Sequence, residues 1–122
     1  MTGGPVGDLA GMLAGMAPVL DPRGWSFTLV EGDAPADAFA IIREEEGTTA
    51  IVPQAGGDFA RITLQVHSAL EGVGLTAAVS AALAGSGIAC NVVAGFHHDH
   101  LFVPWERRDE ALAILQRLAS SV

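Results

Sequence analysis

The sequence predicts an α+β fold, a ferredoxin-like sandwich of the βαββαβ type. Three observations carry this. The hydrophobic periodicities run α-β-β-β and then β-α-β-β-α, so strands joined by hairpins alternate with helices. The chain has 122 residues, half of them apolar, enough for a core without disulfide or metal staples. The second half alone reads as βαββα, one strand short of the full motif, which leaves the first half to supply the missing pairing.

The elements follow in order. Leu9, Met12, Leu13 and Met16 recur at helical spacing behind Asp8, a residue suited to cap a helix, and Pro18 closes the segment. Asp21-Pro22-Arg23-Gly24 is a turn cluster. From Trp25 to Val30 the chain alternates, with Trp25, Phe27 and Leu29 on one face. Ala38 to Arg43 and Thr48 to Val52 read as two further strands around the Glu44-Glu45-Glu46-Gly47 connection. The clearest strand is Arg61 to His67, where Ile62, Leu64 and Val66 alternate with polar residues. Leu75 to Leu83 is a helix with the stripe Leu75, Val79, Ala82 and Leu83, stopped by Gly85 and Gly87. Ile88 to Ala94 carries no charge and reads as an interior strand. His100 to Val103 returns from a turn, and Glu106 to Ala119 forms the last helix around Ala111, Ile114, Leu115 and Leu118.

Composition excludes several chemistries. There is no Lys, which removes the phosphate-loop lysine and Schiff-base catalysis. A single Cys (Cys90) removes an internal disulfide and Cys-rich zinc sites. A net charge of −8 argues against nucleic acid and anionic membranes as partners. Residues 1–59 carry nine acidic and two basic side chains against five and four in residues 60–122, so the acidity is concentrated in the first half. The apolar stretch from Val6 to Leu20 lacks a cationic start and is broken by Asp8 and three glycines, so it is not expected to be a signal peptide. A lone thiol fits a cytoplasmic setting.

Two segments could carry chemistry. His97-His98-Asp99-His100 places four potential metal ligands in a row. In an extended chain His98 and His100 could converge while His97 and Asp99 face the other way, so the run reads first as a hairpin turn. A site involving His97, His98 and His100 remains the metal-binding alternative. The second segment is the strand-to-helix loop from His67 to Thr76. Backbone N–H groups at the helix start could receive a carboxylate, and Glu71 could receive an ammonium, which suits a zwitterion. The plainer reading is that Gly72 and Gly74 serve only the turn. Glu44 to Glu46 reads as solvated surface, Cys90 as inert packing, and Ser68 lies in no nucleophile-elbow motif.

The run Leu70-Glu71-Gly72-Val73-Gly74-Leu75 through Ala84-Gly85-Ser86-Gly87-Ile88 resembles the ACT-domain pattern, in which a glycine-bearing loop leads into a helix ending before the next strand. Ala94-Gly95-Phe96-His97-His98-Asp99-His100-Leu101-Phe102-Val103-Pro104 resembles the hairpin of the tandem-ACT group, and Thr48 to Pro53 resembles the matching strand of that group's other half. The chain thus looks like the small bacterial tandem-ACT proteins of uncharacterised function, which are related in fold to the arginine-sensing ACT proteins. The resemblance implies two intertwined ACT-like units, residues 1–59 and 60–122, with antiparallel sheets and helices on one face. It also implies a non-catalytic regulatory protein, a homodimer, that binds a small molecule such as an amino acid without a cofactor. Ser68, Glu71, Gly72, Val73, Gly74, Leu75 and Thr76 would hold the ligand, with polar help from Asn91, His97, His98 and Asp99. The alternatives are a metal-binding module or enzyme centred on the histidine turn, and an interaction module without a ligand.

Overall fold

The structure, a computed structural model, describes residues 7–67 and 72–121. Its elements are α1 (Leu9–Ala14), β1 (Pro18–Val30), β2 (Ala40–Glu44), β3 (Gly47–Pro53), β4 (Phe59–Leu64), α2 (Leu75–Ala84), β5 (Asn91–Ala94) and β6 (Asp99–Pro104). A 3₁₀ turn at Trp105–Arg107 leads into α3 (Arg108–Ser120). This is the order of helices and strands expected from the periodicities. The strands form one antiparallel sheet in the order β2-β3-β1-β4-β6-β5. Within it, β1-β4-β6-β5 is the four-stranded ferredoxin-like arrangement, and β1 of the first half fills the place of the strand that the second half lacks.

Alternation along the strands sorts the side chains onto two faces. Ala60, Ile62 and Leu64 of β4 and Leu101 and Val103 of β6 point to the helices. They meet Met12 and Met16 of the α1 segment, Leu75, Val79 and Leu83 of α2, and Ala111, Ile114 and Leu115 of α3 in the main core. Most of the predicted helix stripes are therefore buried, with Leu13, Ala82 and Leu118 only partly so. Asp8 caps α1, its Oδ2 accepting from the Gly11 N–H at 2.8 Å, although Leu9 stays 40% exposed at the rim. Arg107 ties the start of α3 to the end of α2 by donating to the Ser86 carbonyl at 2.9 Å.

The opposite, helix-free face carries a second apolar cluster. Trp25, Ile51 and Phe102 are buried there, with Phe39 and Phe59 packed against them. Phe39 lies just before β2, at the far edge of the sheet, yet its ring stands 4.8 Å from that of His100 on β6. The sheet is curled, and Phe39 folds over its concave side.

Three expectations change. The Asp21–Gly24 cluster is not a loop before a strand but an irregularity within β1, where the register shifts between Leu20 and Gly24. The turn chemistry is real, since Asp21 Oδ1 accepts from the Arg23 N–H at 2.8 Å, but pairing with β4 on both sides absorbs it as a bulge. The ladder of β4 ends at Leu64 rather than His67, because the Gln65 N–H turns to the Met16 carbonyl at 2.8 Å. The segment expected as an interior strand, Ile88 to Ala94, is an edge: among the described residues only Asn91–Ala94 pairs, and only with β6. Its apolar composition comes instead from Ile88 and Cys90, which turn into the helix-side core. No helix among the described residues is long and apolar enough to cross a membrane.

Candidate functional site

β4 and β5 both run antiparallel to β6, so the loop leaving β4 and the β5–β6 turn share one end of the sheet. The His67 and His97 rings stand 5.3 Å apart, and Phe96 lies 6.4 Å from His67. The turn is closed by the Gly95 N–H donating to the His98 carbonyl at 2.9 Å. On the helix side, Gly74 takes a left-handed φ of 106°, so a β-carbon there would be strained. It caps α2 without a side-chain hydrogen bond, and the first turn holds no acidic residue. Among the described residues no side chain caps the N–H groups of that turn, which present the positive end of the helix dipole.

Of the predicted ligand-binding residues, Gly72, Val73, Gly74 and Thr76 lie at this loop and helix start, with Val73 80% exposed. His97 and His98 lie in the adjoining turn, and Asp99 opens β6. Ser68 and Glu71 lie outside the described residues. Two residues depart from the expectation. The Leu75 side chain is part of the core, so only its backbone could meet a ligand. Asn91 stands at the other end of β5, opposite Phe102, and does not join the turn. The histidines do not gather as metal ligands either. His100 points across the helix-free face to Thr63, with Nδ1 2.9 Å from Oγ1, and no group of three ligating side chains converges among the described residues. His97 and His98 lie in the turn before β6, whereas Thr63 holds His100 on the strand. His98 Nδ1 is buried without a hydrogen-bond partner among the described residues. Burial pushes the Cys90 thiol pKa up, as inert packing requires.

A cleft elsewhere on the sheet was not anticipated. On the concave, helix-free face, Arg61, Thr63 and Gln65 alternate along the β4 segment and line a cavity of about 310 Å³ with Val19, Phe39 and His100. The Arg61 guanidinium lies against both Trp25 and Phe39, 4.6 and 4.5 Å from their ring centroids. Its Nη2 donates to Asp21 Oδ2 at 3.0 Å. Hydrogen bonds from the Arg23 side chain, chiefly, hold the Asp21 carboxyl below its ordinary range, helped by the Arg23 backbone N–H and the Arg61 charge against the cost of burial. Burial lowers the Arg61 pKa, which leaves it a cation at neutral pH. The polar alternation of β4 was visible in the sequence. The partner Asp21, 40 positions away, was not.

Burial, then the Arg61 charge, then His98 lower the His100 pKa from its ordinary 6.5. The unfolded chain, with an ordinary imidazole, therefore takes up this proton first on acidification. Stability should fall as pH drops from 6.5 towards the folded-state value, and should be restored as pH rises through that window. Thermal melts across the window should show a shallower slope for His100→Gln than for the parent. Equal slopes would refute the assignment.

A curled antiparallel sheet with helices on one face and a small polar cleft on its concave side is the architecture of a small-molecule-binding regulatory domain. The chain belongs to the ACT-domain family. One ACT-domain family model matches residues 5–69 and another matches residues 60–117. ACT domains are regulatory, non-catalytic modules that bind small molecules. Among solved structures, a Vibrio cholerae protein of unknown function, titled a possible transport protein, is 38% identical. That alignment covers 91% of this chain and 95% of the other, with a TM-score of 0.76. An Agrobacterium tumefaciens protein is 19% identical over 80% of this chain and 82% of its own, with a TM-score of 0.61. The ligand-free regulatory subunit of aspartate kinase from Thermus thermophilus is 14% identical over 85% of this chain and 97% of its own, with a TM-score of 0.64. The last two bear on the fold alone. No curated protein matches the chain significantly.

Proposed function

We propose that this chain is a non-catalytic regulator that binds an amino acid at the sheet end formed by the loop after β4, the start of α2 and the β5–β6 turn. The observation that carries the reading is the glycine-started N-terminus of α2, without a side-chain cap among the described residues, at the sheet end that holds His67, His97 and His98. The ligand carboxylate would lie on the N–H groups around Gly74 to Thr76, an arrangement that helix N-termini favour. Ser68 and Glu71 of the loop, with Asp99 beside the turn, would take the ammonium. Asn91 has no part in this site. The functional form is a cytoplasmic homodimer in which each chain is built of two ACT-like halves, residues 1–59 and 60–122. Binding would act by favouring one assembly state over another, which requires different affinities for the two states.

Thermal unfolding against the twenty amino acids tests this. An amino acid present at 100 times its Kd should stabilise the protein by about 2.7 kcal/mol. His97 is exposed, so His97→Ala should leave the fold intact and reduce that stabilisation. If no amino acid raises the melting temperature, the reading fails.

A further inference from the structure

The cavity on the concave face of the sheet stands apart from the sheet-end site. We propose that it is a second ligand site, one that takes a small monocarboxylate with a short apolar tail, bound through Arg61. The proposal does not depend on the amino-acid reading of the sheet end.

The first argument is the state of Arg61. Guanidinium carries five N–H donors in a rigid fork that matches a carboxylate. Among the described residues, Asp21 receives one hydrogen bond from it, at Nη2, and Nε is buried with no partner. A half-buried guanidinium with donors left unmade is costly. An acceptor arriving in the cavity would relieve that cost.

The second argument is what surrounds it. Trp25 and Phe39, themselves in edge-on contact, both lie against the guanidinium, so its position is restricted before a ligand arrives. Thr63 shares the face of β4 with Arg61, and its hydroxyl meets His100 Nδ1 at 2.9 Å. When that hydroxyl donates to Nδ1, the neutral imidazole keeps its proton on Nε2 as a further donor. Gln65 adds an amide to the same wall. Val19 and Phe39 supply apolar surface for a hydrocarbon tail.

The third argument is the local charge, which selects the class of ligand. Asp21 Oδ1 already accepts from the Arg23 backbone N–H and Nε, at 2.8 and 3.1 Å. Its Oδ2 accepts from Arg23 Nη2 and Arg61 Nη2, at 3.1 and 3.0 Å. The carboxylate is committed and offers little to an ammonium. Two arginines against this one carboxylate leave the cluster cationic. An anion without an amine fits this balance better than a zwitterion does. A cavity of about 310 Å³ is at the small end for ligand sites, which suits a molecule of a few carbons.

The test is a titration of the full chain with propionate, butyrate and benzoate, followed by NMR of the backbone amides and the Arg61 Nε–H. Propionamide serves as the uncharged control. The expected result is a saturable shift at Arg61, Thr63 and His100 with a carboxylate and none with propionamide. Arg61→Met should weaken binding by at least about tenfold, the scale of a charge-assisted hydrogen bond. Val19 is 52% exposed and lies opposite Thr63 in the β1–β4 register, so Val19→Trp should fill the cleft without disturbing the core and weaken binding similarly. If Arg61→Met does not fold, Val19→Trp decides alone. The proposal is overturned by the absence of saturable shifts with every carboxylate, by an equal response to propionamide, or by unchanged affinity in Val19→Trp.

Discussion

Phe102→Ala is expected to cost about 3–5 kcal/mol of folding stability, a large part of the total for a domain of this size. Phe102 is fully buried although it points away from the helices. Its ring packs edge-on against Trp25, Phe27 and Phe39, with centroids 6.1, 5.3 and 5.9 Å away. Each such pair adds about 0.5–1.5 kcal/mol beyond the area it buries. Removing the ring opens a cavity where β1, β6 and the segment before β2 meet, and no helix can settle into that face. Phe96→Ala is the control. Phe96 is 72% exposed, and its loss should change stability by no more than about 0.5 kcal/mol. Chemical denaturation of both variants checks the pair. A cost for Phe102→Ala close to that for Phe96→Ala would mean that the concave cluster contributes little to the fold.

Gly57→Ala should be nearly as damaging, at about 3 kcal/mol, for a different reason. A β-carbon at Gly57 would sit 2.5 Å from the Trp25 carbonyl oxygen and 2.8 Å from the Trp25 carbonyl carbon and nitrogen. These are backbone atoms, so no rotamer change relieves the overlap. The turn between β3 and β4 would have to move away from β1 just past the bulge, pulling Trp25 out of its contacts. Gly24 faces the same junction from the other side, where a β-carbon would lie 2.7 Å from the Gln54 carbonyl oxygen. Gly85→Ala provides the contrast. Gly85 has an ordinary helical φ of −60°, and its nearest contact would be 3.4 Å away, so the melting temperature should scarcely move. Equal melting temperatures for Gly57→Ala and Gly85→Ala would contradict this account.

Local and long-range interactions divide what the sequence of this chain encodes legibly. The stripes Leu75, Val79 and Leu83 on α2 and Ala111, Ile114 and Leu115 on α3 are buried as their spacing implied. Each lies on one helix, where a period of 3.6 residues maps directly onto a face. The cap at Asp8 was legible for the same reason, since donor and acceptor lie within a single turn. The edge position of β5 was not. Absence of charge in Ile88 to Ala94 says that the segment is partly buried, and cannot say whether neighbours lie on both sides. The Asp21–Gly24 turn was correctly recognised as a turn but misplaced, because whether a turn ends a strand or bulges within it depends on the strand beside it.

The same division runs through the candidate sites. The loop after β4 and the histidine turn were found by residue type and local spacing, and the sheet topology brings them to one end. The concave cleft could not be found that way. It depends on Asp21 reaching Arg61 across 40 positions and on Phe39 folding from the far edge of the sheet to His100. Local periodicity, capping and turn chemistry settled which segments are helices and strands and which of their faces are apolar, since those interactions span a few residues. The tertiary structure decided which strand lies at an edge, which turn becomes a bulge and which polar residues share a cavity. Those outcomes come from contacts between distant segments, whose closure depends on how the whole sheet curls rather than on any pattern within one stretch of chain.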